Sequence, residues 1–86
     1  MYYVLILQSH RSKRFHYIEY TETAPEERLK LHNSGEVKKT ENRVPLEIDY
    51  YEAYKSKEEA IHRTNSLKLY SNAWAQLKRR IEKSLE

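Results

Sequence analysis

The 86-residue sequence predicts an α+β domain of three strands and three helices in the order ββαβαα. Three observations carry that prediction. An apolar run near the start is followed, after a short polar turn, by an alternating segment. Two Ser/Thr-led stretches each place a glutamate three residues on, the signature of a helix start. Between them lies a tyrosine-rich segment with partial period-two alternation.

Residues 2–8 (YYVLILQ) are apolar on both faces of an extended chain, which predicts a strand covered on both sides. The polar turn SHRSKR leads to residues 14–20, where Phe15, Tyr17 and Glu19 alternate with His16, Ile18 and Tyr20. These two segments read as a hairpin. Thr23-Ala-Pro-Glu26 then predicts a helix with Thr23 as N-cap and proline in the first turn. That helix runs to about Asn33, and Gly35 is placed to end it. Residues 36–45 are polar, close on Pro45 and read as a loop, and LEIDYYEAY (46–54) is the third strand. Ser56-Lys-Glu-Glu59 opens a second helix reaching about Leu69. A last helix over about 72–85 gathers Trp74, Leu77, Ile81 and Leu85 on one face, with Lys78, Arg79, Arg80 and Lys83 round its outer side. Leu5, Ala60 and Leu67 are expected in the core, with Trp74 packed onto it.

Composition narrows the chemistry. This length suits one small domain, taken as residues 1–86, with a modest core. A formal charge of +3 and a pI of about 9.1 bias the chain mildly towards anionic partners. With no cysteine there is no disulfide framework and no thiolate metal site. One glycine in the whole chain excludes a glycine-rich phosphate loop and a dinucleotide fingerprint. The opening apolar run is too short for a membrane span and lacks signal-peptide features, so no membrane partner is expected and a cytoplasmic location is. Eight tyrosines are many for this length, since a buried phenol needs a partner for its hydroxyl.

The runs YYVLILQS, FHYIEYT, EERLKLHNSG and KTENRVPLEIDYYEAYKSKEEA, with the later LK of SLK, resemble the GIY-YIG nuclease family, in particular its small stand-alone bacterial members. The resemblance covers nearly the whole chain. It implies a small antiparallel sheet flanked by helices, and metal-dependent cleavage of a DNA phosphodiester. It also implies a tyrosine on each hairpin strand, an arginine and often a histidine on the first helix, and a metal-binding glutamate on a later one. Arginine suits an anionic transition state. A divalent cation, Mg²⁺ or Mn²⁺, needs an anionic oxygen ligand and polarises the phosphate in return.

Carried over residue by residue, Tyr17, Arg28 and His32 match the family's site. Arg28 and His32 are four apart and share a helix face. Three positions depart. Leu5 stands where the first signature has tyrosine, Glu19 where the second has glycine, and Thr64 where the family places its metal-binding glutamate. Helical spacing puts Thr64 on the inward face with Ala60 and Leu67.

Glu19 has two readings: a relocated metal ligand compensating for Thr64, or an obstruction, a bulky anion where glycine allows the phosphate to approach. We prefer obstruction. The expected function is a domain of nuclease ancestry that binds nucleic acid, DNA in the first place, through Arg28 and neighbouring basic residues, with metal-assisted cleavage weak or absent. Two alternatives stand beside it. One is an active Mg²⁺ or Mn²⁺ endonuclease using Glu19. The other is a protein-interaction module presenting its tyrosine-rich surface to a protein partner.

Overall fold

The computed structural model describes residues 1–84, so Leu85, expected on the buried stripe of the last helix, lies outside the described residues. The elements are β1 (Tyr2–Ser9), β2 (Ser12–Thr21), α1 (Pro25–Asn33), β3 (Leu46–Tyr54), α2 (Lys57–Leu69) and α3 (Ser71–Ser84). The expected order ββαβαα holds. The strands form one antiparallel sheet, β2-β1-β3, with β1 in the centre.

That central place explains the continuous apolar run in β1. Val4 and Ile6 face one side, where they meet Ile18, Tyr20, Tyr50 and Tyr54 of the neighbouring strands and Ala60, Leu67, Leu77 and Ile81 of α2 and α3. Leu5 and Leu7 face the other, with Tyr17, Leu29, Leu46 and Ile48. The domain is therefore three layers, with α1 on one face and the α2–α3 pair on the other. Leu5, Ala60 and Leu67 are buried as expected. Trp74 packs against the α2–α3 side of the core but stays half-exposed.

Register sets which side chains share a face. Leu5 pairs with Glu19 and Leu7 with Tyr17 across β1 and β2. On the other side Ile6 pairs with Tyr50 and Leu7 with Ile48, leaving Asp49 as the extra residue of a bulge. The bulge is why Ile48 and Tyr50, two apart, lie on opposite faces.

The helix starts divide into one confirmed cap and one corrected cap. Ser56 caps α2, its Oγ accepting from the Glu59 N–H at 3.3 Å. Thr23 does not cap α1. The N-cap is Ala24, without a side-chain bond, and the helix starts on Pro25 with Glu26 and Glu27 in its first turn. Proline at the first helical position needs no N–H partner, and the two carboxylates favour the positive end of the helix dipole. Thr23 is held one step earlier, its N–H donating to Thr21 Oγ1 at 3.1 Å. Gly35 does end α1, with φ of 82° and its N–H bonded to the His32 carbonyl at 3.0 Å.

The loop between α1 and β3 is polar, as read, but tightly fastened. The Asn33 amide grips Leu46 from both sides, accepting from its N–H at 2.7 Å and donating to its carbonyl at 3.0 Å. Ser9 Oγ donates to the Arg43 carbonyl at 2.6 Å. Thr40, in mid-loop, is completely buried. These ties bring the loop against the C-terminal half of α1, where the candidate site lies.

Candidate functional site

The site grows from the α1 face of the sheet. Strand alternation directs Tyr17 and Glu19 of β2 towards α1, and the four-residue spacing of Arg28 and His32 directs both back towards the strand. The four side chains meet. Arg28 donates through Nε to Glu19 Oε1 at 2.7 Å and through its second guanidinium nitrogen to Oε2 at 3.1 Å, a two-pronged pair. His32 adds a third bond, Nε2 to Glu19 Oε1 at 2.8 Å. Tyr17 sets its ring edge-to-face with the His32 ring, centroids 5.5 Å apart.

A fifth residue completes the cluster. Thr40 Oγ1 lies 2.6 Å from His32 Nδ1. A carboxylate only accepts, so His32 carries its proton on Nε2. The threonine hydroxyl donates to Nδ1 when the ring is neutral and accepts from it when the ring is charged. His32 is 0% exposed and Glu19 6%, so the ring is gripped at both nitrogens without water. Thr40 was not singled out from the sequence. It lies inside the family-like run KTENRVP, but nothing in a polar loop distinguishes a threonine that turns inward.

Electrostatics follow from this packing. Burial opposes the charge on Glu19, yet the hydrogen bonds from Arg28 and His32 outweigh it and hold the carboxyl below its ordinary value. The Glu19 carboxylate correspondingly holds the Arg28 guanidinium more firmly protonated. Burial first, and then the nearby negative charge of Glu19, push the Tyr17 phenol up. The cluster is a closed ion pair with a neutral phenol against it.

The three positions expected to depart from the family pattern lie apart from one another in role. Leu5 is fully buried in the core and pairs with Glu19 in the sheet, so its position adjoins the carboxylate but offers no hydroxyl. Glu19 is at the centre of the cluster. Thr64 points inward as the helical spacing predicts, 4% exposed, and its hydroxyl donates to the Ala60 carbonyl at 2.9 Å. It shares the buried stripe of α2 with Ala60 and Leu67, the stripe that packs on the Val4 and Ile6 face. Thr64 takes no part in the hydrogen bonds that join the other four residues.

A model of the GIY-YIG catalytic domain matches residues 1–82 of this chain. The chain belongs to the GIY-YIG family. Comparison with curated proteins and with solved structures gave no significant match. GIY-YIG membership points to DNA as the substrate class and to a divalent metal as the usual cofactor. No helix among the described residues is long and apolar enough to cross a membrane.

The residues present do not fit that metal. Both oxygens of Glu19 already accept from Arg28, and Oε1 also from His32. Thr64, expected at the family's ligand position, has its hydroxyl committed to its own helix. Among the described residues no group of three His, Cys, Asp or Glu side chains could hold a metal ion.

Two further polar groupings went unread in the sequence. Glu52 of β3 accepts from Arg63 of α2 at 2.9 and 3.3 Å and from the hydroxyls of Tyr54 and Tyr50 at 2.8 and 3.3 Å. His16 of β2 pairs with Asp49, Nε2 to Oδ2 3.2 Å. Both lie on the α2–α3 face. The basic residues of α3 divide: Arg79, Arg80 and Lys83 line a shallow depression on the helix, whereas Lys78 turns towards the His16–Asp49 pair.

Proposed function

We propose that this chain is a DNA-binding GIY-YIG domain whose cleavage centre is closed by its own glutamate. The observation that carries the reading is the three-bond seat of the Glu19 carboxylate on Arg28 and His32. An arginine fork and an imidazole N–H on one helix face are donors suited to a phosphate. A carboxylate offers the guanidinium a pair of anionic oxygens, as a phosphodiester does. Glu19 thus stands in for the phosphate from within the chain, and Arg28 meets DNA only as this pair loosens. The chain's formal charge of +3 supplies the remaining attraction for the backbone. The lost carboxylate at Thr64 and the lost phenol at Leu5 support the same reading from the metal and nucleophile sides.

A plasmid-nicking assay in Mg²⁺ or Mn²⁺, run beside fluorescence anisotropy of labelled DNA, tests this. The wild-type protein binds DNA with a clear salt dependence and nicks it weakly or not at all. Glu19→Gly binds more tightly, and adding Thr64→Glu and Leu5→Tyr to it raises nicking. Metal-dependent nicking by the wild type that Glu19→Gly abolishes would instead make Glu19 the relocated metal ligand. Binding that ignores salt would point to the protein-partner alternative.

A further inference from the structure

The other face of the sheet holds a polar pocket unrelated to the Glu19 cluster. Its floor is the His16–Asp49 pair, which reaches across the central strand from β2 to the bulge in β3, the two side chains 13% and 5% exposed. Over this pair α3 lays Trp74, its ring edge-to-face with His16, centroids 5.3 Å apart. The pocket has a volume of about 270 Å³. Its mouth carries Lys13 and Arg14 from the start of β2 and Lys78 from α3, one turn beyond Trp74. The ion pairs among the described residues take none of these three cations. Two carboxylates oppose the three cations, Glu82 at the rim and Asp49 at the floor, the latter bonded to His16.

We propose that this pocket binds one unpaired nucleotide of a single-stranded segment. The base lies against the Trp74 ring with its polar edge towards His16 and Asp49. The flanking phosphate sits among Lys13, Arg14 and Lys78. The argument is chemical. A bare anion site needs no aromatic wall, and an apolar-ligand site needs no ring of cations. An indole beside a donor–acceptor pair, with excess positive charge at the mouth, has the parts of a single-strand stacking platform. The proposal rests on the nucleic-acid reading given above but uses neither Glu19 nor Arg28.

Trp74 is the only tryptophan in the chain, so indole emission reports this pocket alone. Short oligothymidylate, thymidine monophosphate and inorganic phosphate are titrated into the protein at low and at physiological salt. Oligothymidylate is expected to change the emission saturably, with affinity falling steeply as salt rises. The monophosphate acts more weakly and inorganic phosphate leaves the signal unchanged. Lys78→Ala, at an exposed helical position, lowers the salt slope by about one and leaves the fold intact by circular dichroism. Arg28→Ala leaves the titration unchanged. An equal response to inorganic phosphate would overturn the nucleotide assignment. If labelled DNA binds by anisotropy while the emission stays flat, the pocket is refuted and the reading of the Glu19 face survives. If the emission responds but Glu19→Gln leaves DNA affinity unchanged, the reverse holds.

Discussion

Two glutamate–arginine clusters sit on opposite faces of the same sheet. On the α1 face Glu19 takes both prongs of Arg28 and an imidazole; on the α2 face Glu52 takes both prongs of Arg63 and two phenols. In each, a strand carboxylate fastens a helix arginine, and in each the carboxyl is held below its ordinary value although burial opposes it. The difference is the third partner. The phenols on Glu52 are kept neutral: burial first, then the Glu52 bond and charge, push Tyr54 up to about 12 and Tyr50 in the same direction. Such a cluster is fixed across the physiological range and joins β3 to α2. The Glu19 cluster uses an imidazole, which gives Glu19 one N–H and bonds Thr40 through its other nitrogen. Hydrogen-bond geometry alone would give both clusters the same role. The proposed function separates them by the resemblance of Arg28 and His32 to the GIY-YIG site and by Glu19 at the expected glycine position.

The largest expected effect is on stability. Glu52→Ala leaves Arg63 and two phenols without their acceptor, and should lower the unfolding free energy by about 2–4 kcal/mol in urea, less than for a fully buried pair because Arg63 reaches water. DNA affinity should stay within about twofold. Should Glu52→Ala weaken DNA binding as strongly as it weakens the fold, the division into a structural and a functional cluster fails.

Next is Trp74→Ala. The half-exposed ring should cost about 2 kcal/mol, below the range for a fully buried aromatic, read as a shift in the urea midpoint. No shift would mean that α3 adds little to the α2 face and that Glu52 and Arg63 hold that side by themselves.

The smallest effect is the pH profile, where the clusters share one limb and differ on the other. Glu19 and Glu52 both have folded values below the ordinary 4.5. Their contribution is therefore complete above that value and is lost as pH falls through the lower, folded values. Tyr54 is the opposite case. With its folded value raised from 10.0 to about 12, its contribution is complete below pH 10 and is lost as pH rises through that interval. Thermal melts across pH should show Glu52→Gln flattening both limbs. Glu19→Gln should flatten mainly the acid one. An alkaline limb unchanged in Glu52→Gln would remove the phenols from that cluster's stability.

The fold was largely legible in the sequence because its signals are local. A central strand apolar on both faces, the Ser56 cap and Gly35 each carry their reason within a few residues. Thr23 misled because a capping box scores residue types, and Pro25 one step later offered a better first helical position. Tyr17, Arg28 and His32 were expected together from the family resemblance, and the structure brings them into one cluster around Glu19. Their state was not legible. Whether Glu19 faces open solvent or is seated on Arg28 depends on how far α1 sits from β2, and that is set by the loop ties at Asn33, Thr40 and Ser9. The Glu52 cluster and the His16–Asp49 pair were hidden for the same reason. One joins residues of a strand and a helix, and the other joins two outer strands across a bulge that no local pattern announces.

The central claim is that Glu19 withholds Arg28 from DNA, and a double-mutant cycle on DNA affinity tests it most directly. The four proteins are the wild type, Glu19→Gln, Arg28→Ala and the double mutant, each measured by anisotropy over a range of salt. In the wild type Arg28→Ala should cost about twofold or less, because the guanidinium is already engaged. Glu19→Gln should tighten binding by about tenfold. In that background Arg28→Ala should cost about tenfold or more, the size of one charge-assisted phosphate bond, and the salt slope should fall by about one. Equal costs of Arg28→Ala in both backgrounds, with Glu19→Gln leaving affinity unchanged, would contradict the account.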